Sequence, residues 1–289
     1  MNHRIEPSPG VLYIVGTPIG NLGDLSKRAG MLIKEVSVIA CEDTRHSGPF
    51  IRRLGSKANL LSFHRHNTQT RIPTLLALLG EGKSLALISD AGLPGICDPG
   101  EALICAAKEA GHEVICIPGP CAATTALVTS GLPTNRFCFE GFLPIKGKER
   151  KQRLMELQTE QRTSIIYEAP HRLLKLLKEL LAICGEQRAL HVCRELTKIH
   201  EEHIGPTIGA AIEHFKENKP LGEFTIVLGG AVKQKISLSN PDQLINKMQS
   251  FIKEGASSNE AARKIAQETG HSKRFLYELL HKNKAKEKK

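Results

Sequence analysis

The chain has 289 residues, 40% of them apolar and 24% charged, with a formal net charge of +10. This balance excludes a chain disordered over its whole length. No run of about 18 apolar residues occurs, which excludes an ordinary transmembrane helix. At roughly 100–200 residues per domain, two or three domains are expected.

Residues 11–16 (VLYIVG) predict a buried first strand, followed by a Gly/Pro turn and a helix over about 25–35. Further strands are predicted at 36–40, 60–64, 84–89 and 113–117, separated by helical patterns near 44–54, 67–80, 99–110 and 121–130. Alternation of this kind predicts α/β units around a largely parallel sheet, and the near-continuous apolar strands suit a sheet covered on both faces. A second set begins after Gly131-Leu132-Pro133. Its strands are predicted at 137–142, 163–168, 189–193 and 223–228, with helices at about 148–158, 170–183 and 206–217. Residues 231–241 turn polar and read as a linker. Beyond it the pattern is helical: Leu244, Met248, Phe251 and Ile252 recur at helical spacing, Ser257 and Ser272 are N-cap candidates, and Gly270 ends a helix between them. The last two helices resemble a helix-turn-helix; a helical cap that only packs is the alternative. The expected domains are thus 1–131, 132–232 and 242–289.

The positive charge is concentrated. Residues 143–153 (LPIKGKERKQR) carry a net +4 and residues 271–289 a net +5, while the rest is nearly balanced. Two compact cationic segments suit a polyanion such as RNA; the alternative is a solvated loop and a solvated tail. The N-terminal residues 1–7 lack the apolar stretch of a secretory signal, so the cytoplasm is the expected location. The eight cysteines form no C-x-x-C pair. They read as buried free thiols, Cys116 among them, and no metal site is expected.

Three Gly/Pro-rich turns follow predicted strands: Gly16-Thr17-Pro18-Ile19-Gly20-Asn21, the stretch 89–100 (SDAGLPGICDPG) and Pro118-Gly119-Pro120-Cys121-Ala122-Ala123. Ligands of open α/β sheets bind beyond the carboxyl ends of the strands, where glycine admits close main-chain approach. None of the turns is G-x-G-x-x-G or G-x-x-x-x-G-K-[ST], which argues against a nicotinamide site and a P-loop. Polar and charged clusters follow other strands: Glu42-Asp43-Thr44-Arg45, His64-Arg65-His66-Asn67, Tyr167-Glu168-Ala169-Pro170-His171-Arg172 and Arg194-Glu195-Leu196-Thr197-Lys198. They would face a common cleft; helix capping by Asp43 or Thr44, and pairing of Arg172 on a helix surface, are the structural alternatives.

The segments GTPIGNLGD, CEDTRHS, SFHRHN, SDAGLPGICDPG, IPGPCAA, SGLPTNRFCFEGFLP, YEAPHRLL and RELTKIHEE occur here in one order. Over about residues 11–230 the chain resembles the ribosomal RNA small-subunit methyltransferase I family, which lies within the tetrapyrrole-methylase-like fold. The resemblance implies two α/β domains with S-adenosylmethionine in the cleft between them; the helical pattern beyond residue 241 adds a small C-terminal helical domain to the expected architecture. It also implies 2′-O-methylation of a cytidine in the decoding region of 16S ribosomal RNA, and a homodimer. The chain departs from the family's pattern at Gly16, Cys41, Leu93, Gly95, Cys97 and Cys121. With hydroxyls lost at 93, 97 and 121, the cofactor role passes mainly to the main chain of Pro18, Ala91, Gly92, Pro94, Cys121 and Ala122, with Glu168 added by its motif. For the chemistry, Glu42, Asp43 and His64 are candidates for base or orienting group. Arg45 and Lys198 are candidates for holding phosphate or a developing oxyanion. A tetrapyrrole C-methyltransferase and a non-catalytic RNA-binding protein remain the alternatives.

Overall fold

The computed structural model describes residues 6–232 and 240–286. The chain divides into two compact units, residues 1–231 and 232–289. The N-terminal segment at 1–5, most of the expected linker (233–239) and the end of the basic tail (287–289) lie outside the described residues. Among the described residues no helix is long and apolar enough to cross a membrane.

The first unit opens with five parallel strands, β1 (Leu12–Val15), β2 (Val38–Cys41), β3 (Asn59–Ser62), β4 (Leu85–Leu87) and β5 (Val114–Ile117), in the order β3-β2-β4-β1-β5. Every residue of β1, β2 and β4 is buried, because alternate side chains enter two separate cores. Tyr13, Val15, Ile39 and Ala86 meet Ala29, Leu32 and Ile33 of α1 (Lys27–Glu35) and Ile51 of α2 (Thr44–Arg53). Leu12, Ile14, Val38, Leu85 and Leu87 meet Leu75 and Leu79 of α3 (Thr68–Gly80) and Leu103 and Ala107 of α4 (Glu101–Glu109). Cys116 corrects the expectation of buried thiols: it is exposed on β5, the outer strand, whose burial is incomplete. Cys105 is exposed as well, and only Cys41 and Cys193 are fully buried.

The second sheet comprises β6 (Phe137–Phe142), β7 (Thr163–Glu168), β8 (Leu190–Arg194), β9 (Glu202–Ile204) and β10 (Phe224–Leu228), in the order β6-β7-β10-β8-β9. Only β6 and β7 run parallel; the other pairs are antiparallel. The reversal originates at β9, a three-residue strand too short for a legible pattern. It folds back on β8, and α8 (Ile208–Glu217) then carries the chain over to β10, which runs against both its neighbours.

One face of this sheet is covered by α6 (Gly147–Thr159), α7 (Pro170–Cys184) and α8, around Leu176, Leu180, Val192 and Ile226. The opposite face, with Ile165, Cys193 and Val227, receives Ala123, Ala126 and Leu127 of α5 (Ala122–Thr129), a helix that follows β5 of the first sheet. Burial of a leucine such as Leu127 contributes about 2 kcal/mol. Helix α5 is therefore the joint that sets the rim of one sheet against the face of the other. The regions expected as domains 1–131 and 132–232 each carry one sheet within this single unit.

The second unit packs α9 (Pro241–Lys253), α10 (Ser258–Thr269) and α11 (Lys273–Lys286) around Leu244, Met248, Ala261, Ile265, Leu276 and Leu280. Ser257 and Glu260 form a reciprocal capping box on α10, and Gly270 ends that helix in the left-handed conformation at φ +78°.

Candidate active site

The three Gly/Pro turns meet at the carboxyl ends of β1, β4 and β5 and interlock. A Cβ on Gly16 would lie 2.7 Å from the Cα of Gly119, so these two main chains touch where no side chain fits. The Thr17 amide donates to the Gly92 carbonyl at 2.9 Å, and its hydroxyl lies 3.2 Å from the carbonyls of both Ser89 and Gly92. Gly92 itself sits at φ +82°, a conformation that favours glycine.

Between this rim and the second sheet lies a cavity of about 340 Å³. The rim contributes Ala91, Gly92, Cys121 and Ala122; the sheet contributes Tyr167, Glu168, Phe224 and Thr225. Tyr167 accepts the Ala123 amide at 3.0 Å, and burial pushes its phenol up, so it stays protonated. The Glu168 side chain is fully buried. Its Oε1 accepts from the Ala169 amide at 3.0 Å and the Arg172 Nε at 2.9 Å, while Oε2 has no partner in the described structure. Burial raises this carboxyl above its ordinary range. A buried acceptor on a cavity wall is costly unless a ligand donor meets it.

Asp98 also lines the cavity. Burial, reinforced by the negative charge of Glu42, lifts its carboxyl from 3.8 to about 6, against the opposing pull of Ser89 and Arg65. It follows Cys97, a non-glycine residue at φ +66°. A carboxylate poised near neutrality in a cleft is suited to proton transfer. Sequence reading passed over Asp98 because it stands in an Asp-Pro-Gly turn, and its electrostatic neighbours come from the ends of other strands.

An adjoining cavity of about 330 Å³ is lined by Pro18, Ala91, His46, Asp90 and Lys198. Burial pushes the Lys198 ammonium down, but Glu195 and Glu223, each at 2.9 Å, outweigh it and hold it above its ordinary value. Glu195 and Thr197 have φ of 49° and 67°, so the loop carrying Lys198 is strained by about 1–3 kcal/mol per residue. Gly20 provides the space this loop occupies, since a Cβ there would meet the Lys198 stem and, at 2.8 Å, Thr197 Oγ1.

Of the residues singled out from sequence, Ala91, Gly92, Cys121, Ala122 and Glu168 line the main cavity, and Pro18 and Lys198 the adjoining one. Pro94 lines neither. Glu42 stands outside both but acts on Asp98 through its charge. Asp43 is the N-cap of α2 and pairs with Arg45 at 2.8 Å; the arginine side chain is 89% exposed, and neither residue reaches a cavity. The hydrogen bonds from Arg45, first through its side chain, bring the Asp43 carboxyl down to about 2. His64 lines neither cavity, though its Nδ1 is buried without a partner in the described structure. The basic segment also divides. Arg150 is buried, ion-paired to Glu179 and donating to the Pro144 carbonyl at 2.7 Å, and Arg153 pairs with Glu140 at 3.0 Å. Lys146, Lys148 and Lys151 remain exposed, the last two beside Met155 in a shallow groove.

Residues 11–212 match the family model of the tetrapyrrole (corrin/porphyrin) methylases. The chain is 46% identical over 270 residues to the ribosomal RNA small subunit methyltransferase I of Synechocystis, covering 93% of this chain and 97% of that protein. It is 46% identical over 235 residues to the protein of the same name from Escherichia coli, covering 81% and 82%. Among solved structures it is similar to uroporphyrin-III-C-methyltransferase from Thermus thermophilus, with TM-score 0.55, 21% identity and 76% and 94% of the two chains covered. It is likewise similar to cobalt precorrin-4 methyltransferase, with TM-score 0.55, 18% identity and 76% and 95% covered. At these identities the two structures speak for the fold, and the near full-length relatives for the kinship. The chain belongs to the tetrapyrrole (corrin/porphyrin) methylase family, among the ribosomal RNA small subunit methyltransferase I proteins.

Proposed function

We propose that the protein is an S-adenosylmethionine-dependent methyltransferase that methylates the 2′-hydroxyl of a cytidine in the decoding region of 16S ribosomal RNA. The substrate class is supported above all by the 46% identity, over nearly the full length of both chains, to a ribosomal RNA small subunit methyltransferase I. The residues present fit the donor. Its cavity has a size usual for small-ligand sites, the rim offers main chain without bulky side chains, and the orphaned Glu168 Oε2 awaits a donor such as an amine. Ala91, Gly92, Cys121, Ala122 and Glu168 would hold S-adenosylmethionine. When bound, it supplies an electrophilic methyl on a sulfonium.

This chain's residues then have three tasks. The interlocked turns fix the rim, so that the ribose hydroxyl is aligned without reorganisation; alignment alone supplies up to about 7–11 kcal/mol in favourable cases. Asp98 takes the proton that the hydroxyl must lose, and Glu42 keeps that carboxylate basic. Lys146, Lys148 and Lys151 supply salt-dependent attraction for the incoming strand, while Lys198, neutralised by Glu195 and Glu223, holds its loop beside the adjoining cavity. Cytoplasmic location and a homodimer belong to the same reading, the latter checked by light scattering.

Transfer of label from the methyl donor to small subunits, followed by mass spectrometry of the RNA, tests the proposal. One ribose methyl on one cytidine is expected, absent from cells lacking the protein. Methylation of a precorrin instead would turn the reading to a tetrapyrrole C-methyltransferase. No detectable donor binding by calorimetry would leave an RNA-binding protein. Within the site, Glu168→Gln should weaken donor affinity more than about tenfold, one charge-assisted hydrogen bond being at stake.

A further inference from the structure

His191 and Cys193 of β8 and His203 of β9 bring three ligand atoms to one spot. They are the one such group among the described residues, with all three atoms within 4.8 Å of one another. The arrangement follows from strand register. His191 and Cys193 are two residues apart and share a face, and Cys193 pairs directly with His203 across the antiparallel ladder. His191 Nε2 lies 3.0 Å from His203 Nδ1, and Cys193 Sγ lies 3.6 Å from that same nitrogen. In tetrahedral zinc sites, bond lengths of about 2.0–2.1 Å to nitrogen and about 2.3 Å to sulfur place neighbouring nitrogens about 3.3 Å apart, and nitrogen and sulfur about 3.6 Å apart. Two edges of such a tetrahedron are thus met to within a few tenths of an ångström, and the third, from His191 Nε2 to Cys193 Sγ, is no longer than 4.8 Å.

The outer support is present too. His203 Nε2 faces Glu201 Oε1 at 2.9 Å, and Glu201 is held by the Thr197 amide at 2.7 Å. A carboxylate accepting from the far nitrogen fixes the tautomer in which Nδ1 offers its lone pair, as is usual for metal-bound histidines.

We propose that His191, Cys193 and His203 bind one zinc ion. A thiolate with two imidazoles selects a borderline-soft divalent cation over magnesium or calcium. On binding, a zinc–sulfur bond forms as the thiol proton leaves to solvent, two neutral imidazoles donate lone pairs, and no electron is transferred. The site ties β9 to β8 at the sheet edge. Through Glu201 it also anchors the 195–201 loop that carries Lys198 to the adjoining cavity. Cys193 lines the main cavity as well, so the metal would stiffen its floor.

The test uses full-length, untagged protein stripped by a chelator and titrated with Co²⁺, then with Zn²⁺ in competition. One ion per chain is expected, with the intense visible bands of tetrahedral cobalt and a thiolate-to-metal charge-transfer band. Cys193→Ser should abolish that band. His203→Gln, at an exposed position that leaves the fold intact, should weaken Zn²⁺ more than about tenfold, and Glu201→Gln about 10–100-fold. Absence of saturable binding, a charge-transfer band that survives Cys193→Ser, or equal affinity in His203→Gln overturns the proposal. Should Cys193→Ser fail to fold, His203→Gln decides alone.

Discussion

Asp98 gives the sharpest test of the site, because one substitution should move activity and stability in opposite directions. Its carboxyl is raised from 3.8 to about 6 by burial and by the charge of Glu42. A displacement of that size corresponds to about 3 kcal/mol for a fully buried group, and partial exposure screens it to about 1–2 kcal/mol. The sign follows from linkage. The folded protein binds this proton more tightly than the unfolded chain. The stabilisation from the proton is therefore complete below pH ~4 and lost as the pH rises through about 6. Above pH 7 the folded state carries the full cost of the charge. Asp98→Asn removes that cost, so it should raise stability by about 1–2 kcal/mol at pH 8 and change it little at pH 4. The same substitution deletes the proposed base and should slow single-turnover methyl transfer by about 10²–10⁴-fold. In the unsubstituted protein the rate should fall about tenfold per pH unit below pH 6. Single-turnover transfer to small subunits between pH 5 and 8, with thermal melts at the same pH values, measures both effects. Full activity in Asp98→Asn, or a loss of activity that merely tracks a loss of fold, would refute the assignment.

Other substitutions separate structural from functional charge. Arg150→Met leaves Glu179 without its buried partner and should cost about 2–3 kcal/mol in denaturant unfolding, since breaking such a pair exceeds the loss of a surface bridge. The double change Lys148→Glu and Lys151→Glu should alter stability by less than about 0.5 kcal/mol. It should lower the salt slope of RNA binding by about 1.4, if each lysine meets one phosphate of a single strand. Gly119→Ala forces a methyl against the Gly16 main chain. It should cost about 2–3 kcal/mol and, by parting the turns, weaken donor binding measured by calorimetry while the far-ultraviolet spectrum stays unchanged.

Legibility in the sequence followed the range of the interaction. Burial of β1, β2 and β4 on both faces appears as unbroken apolar runs, and the caps at Ser257, Ser272 and Gly270 act within one helical turn, so these features could be placed without a fold. Asp43 illustrates the limit. Its carboxylate was a candidate for chemistry and for capping alike, and only the position of the cleft separates the two: it caps α2 away from both cavities. Asp98 shows the converse, a residue in an ordinary turn made special by Glu42 and Arg65 from distant segments. The charge of residues 143–153 was legible as a sum. That Arg150 points inward to Glu179 was not, because the two are 29 positions apart.

The sequence by itself therefore determined the alternation of elements, the glycines and prolines of the rim and the family to which the chain is related, since each is a local pattern or an ordered set of motifs. Tertiary structure alone decided the antiparallel turn of the second sheet, the seat of α5 between the sheets, the weakened acidity of Asp98 and the meeting of His191, Cys193 and His203. Each of these depends on cross-strand register or on the burial of charge, and both arise only when segments remote along the chain come within a few ångströms of one another.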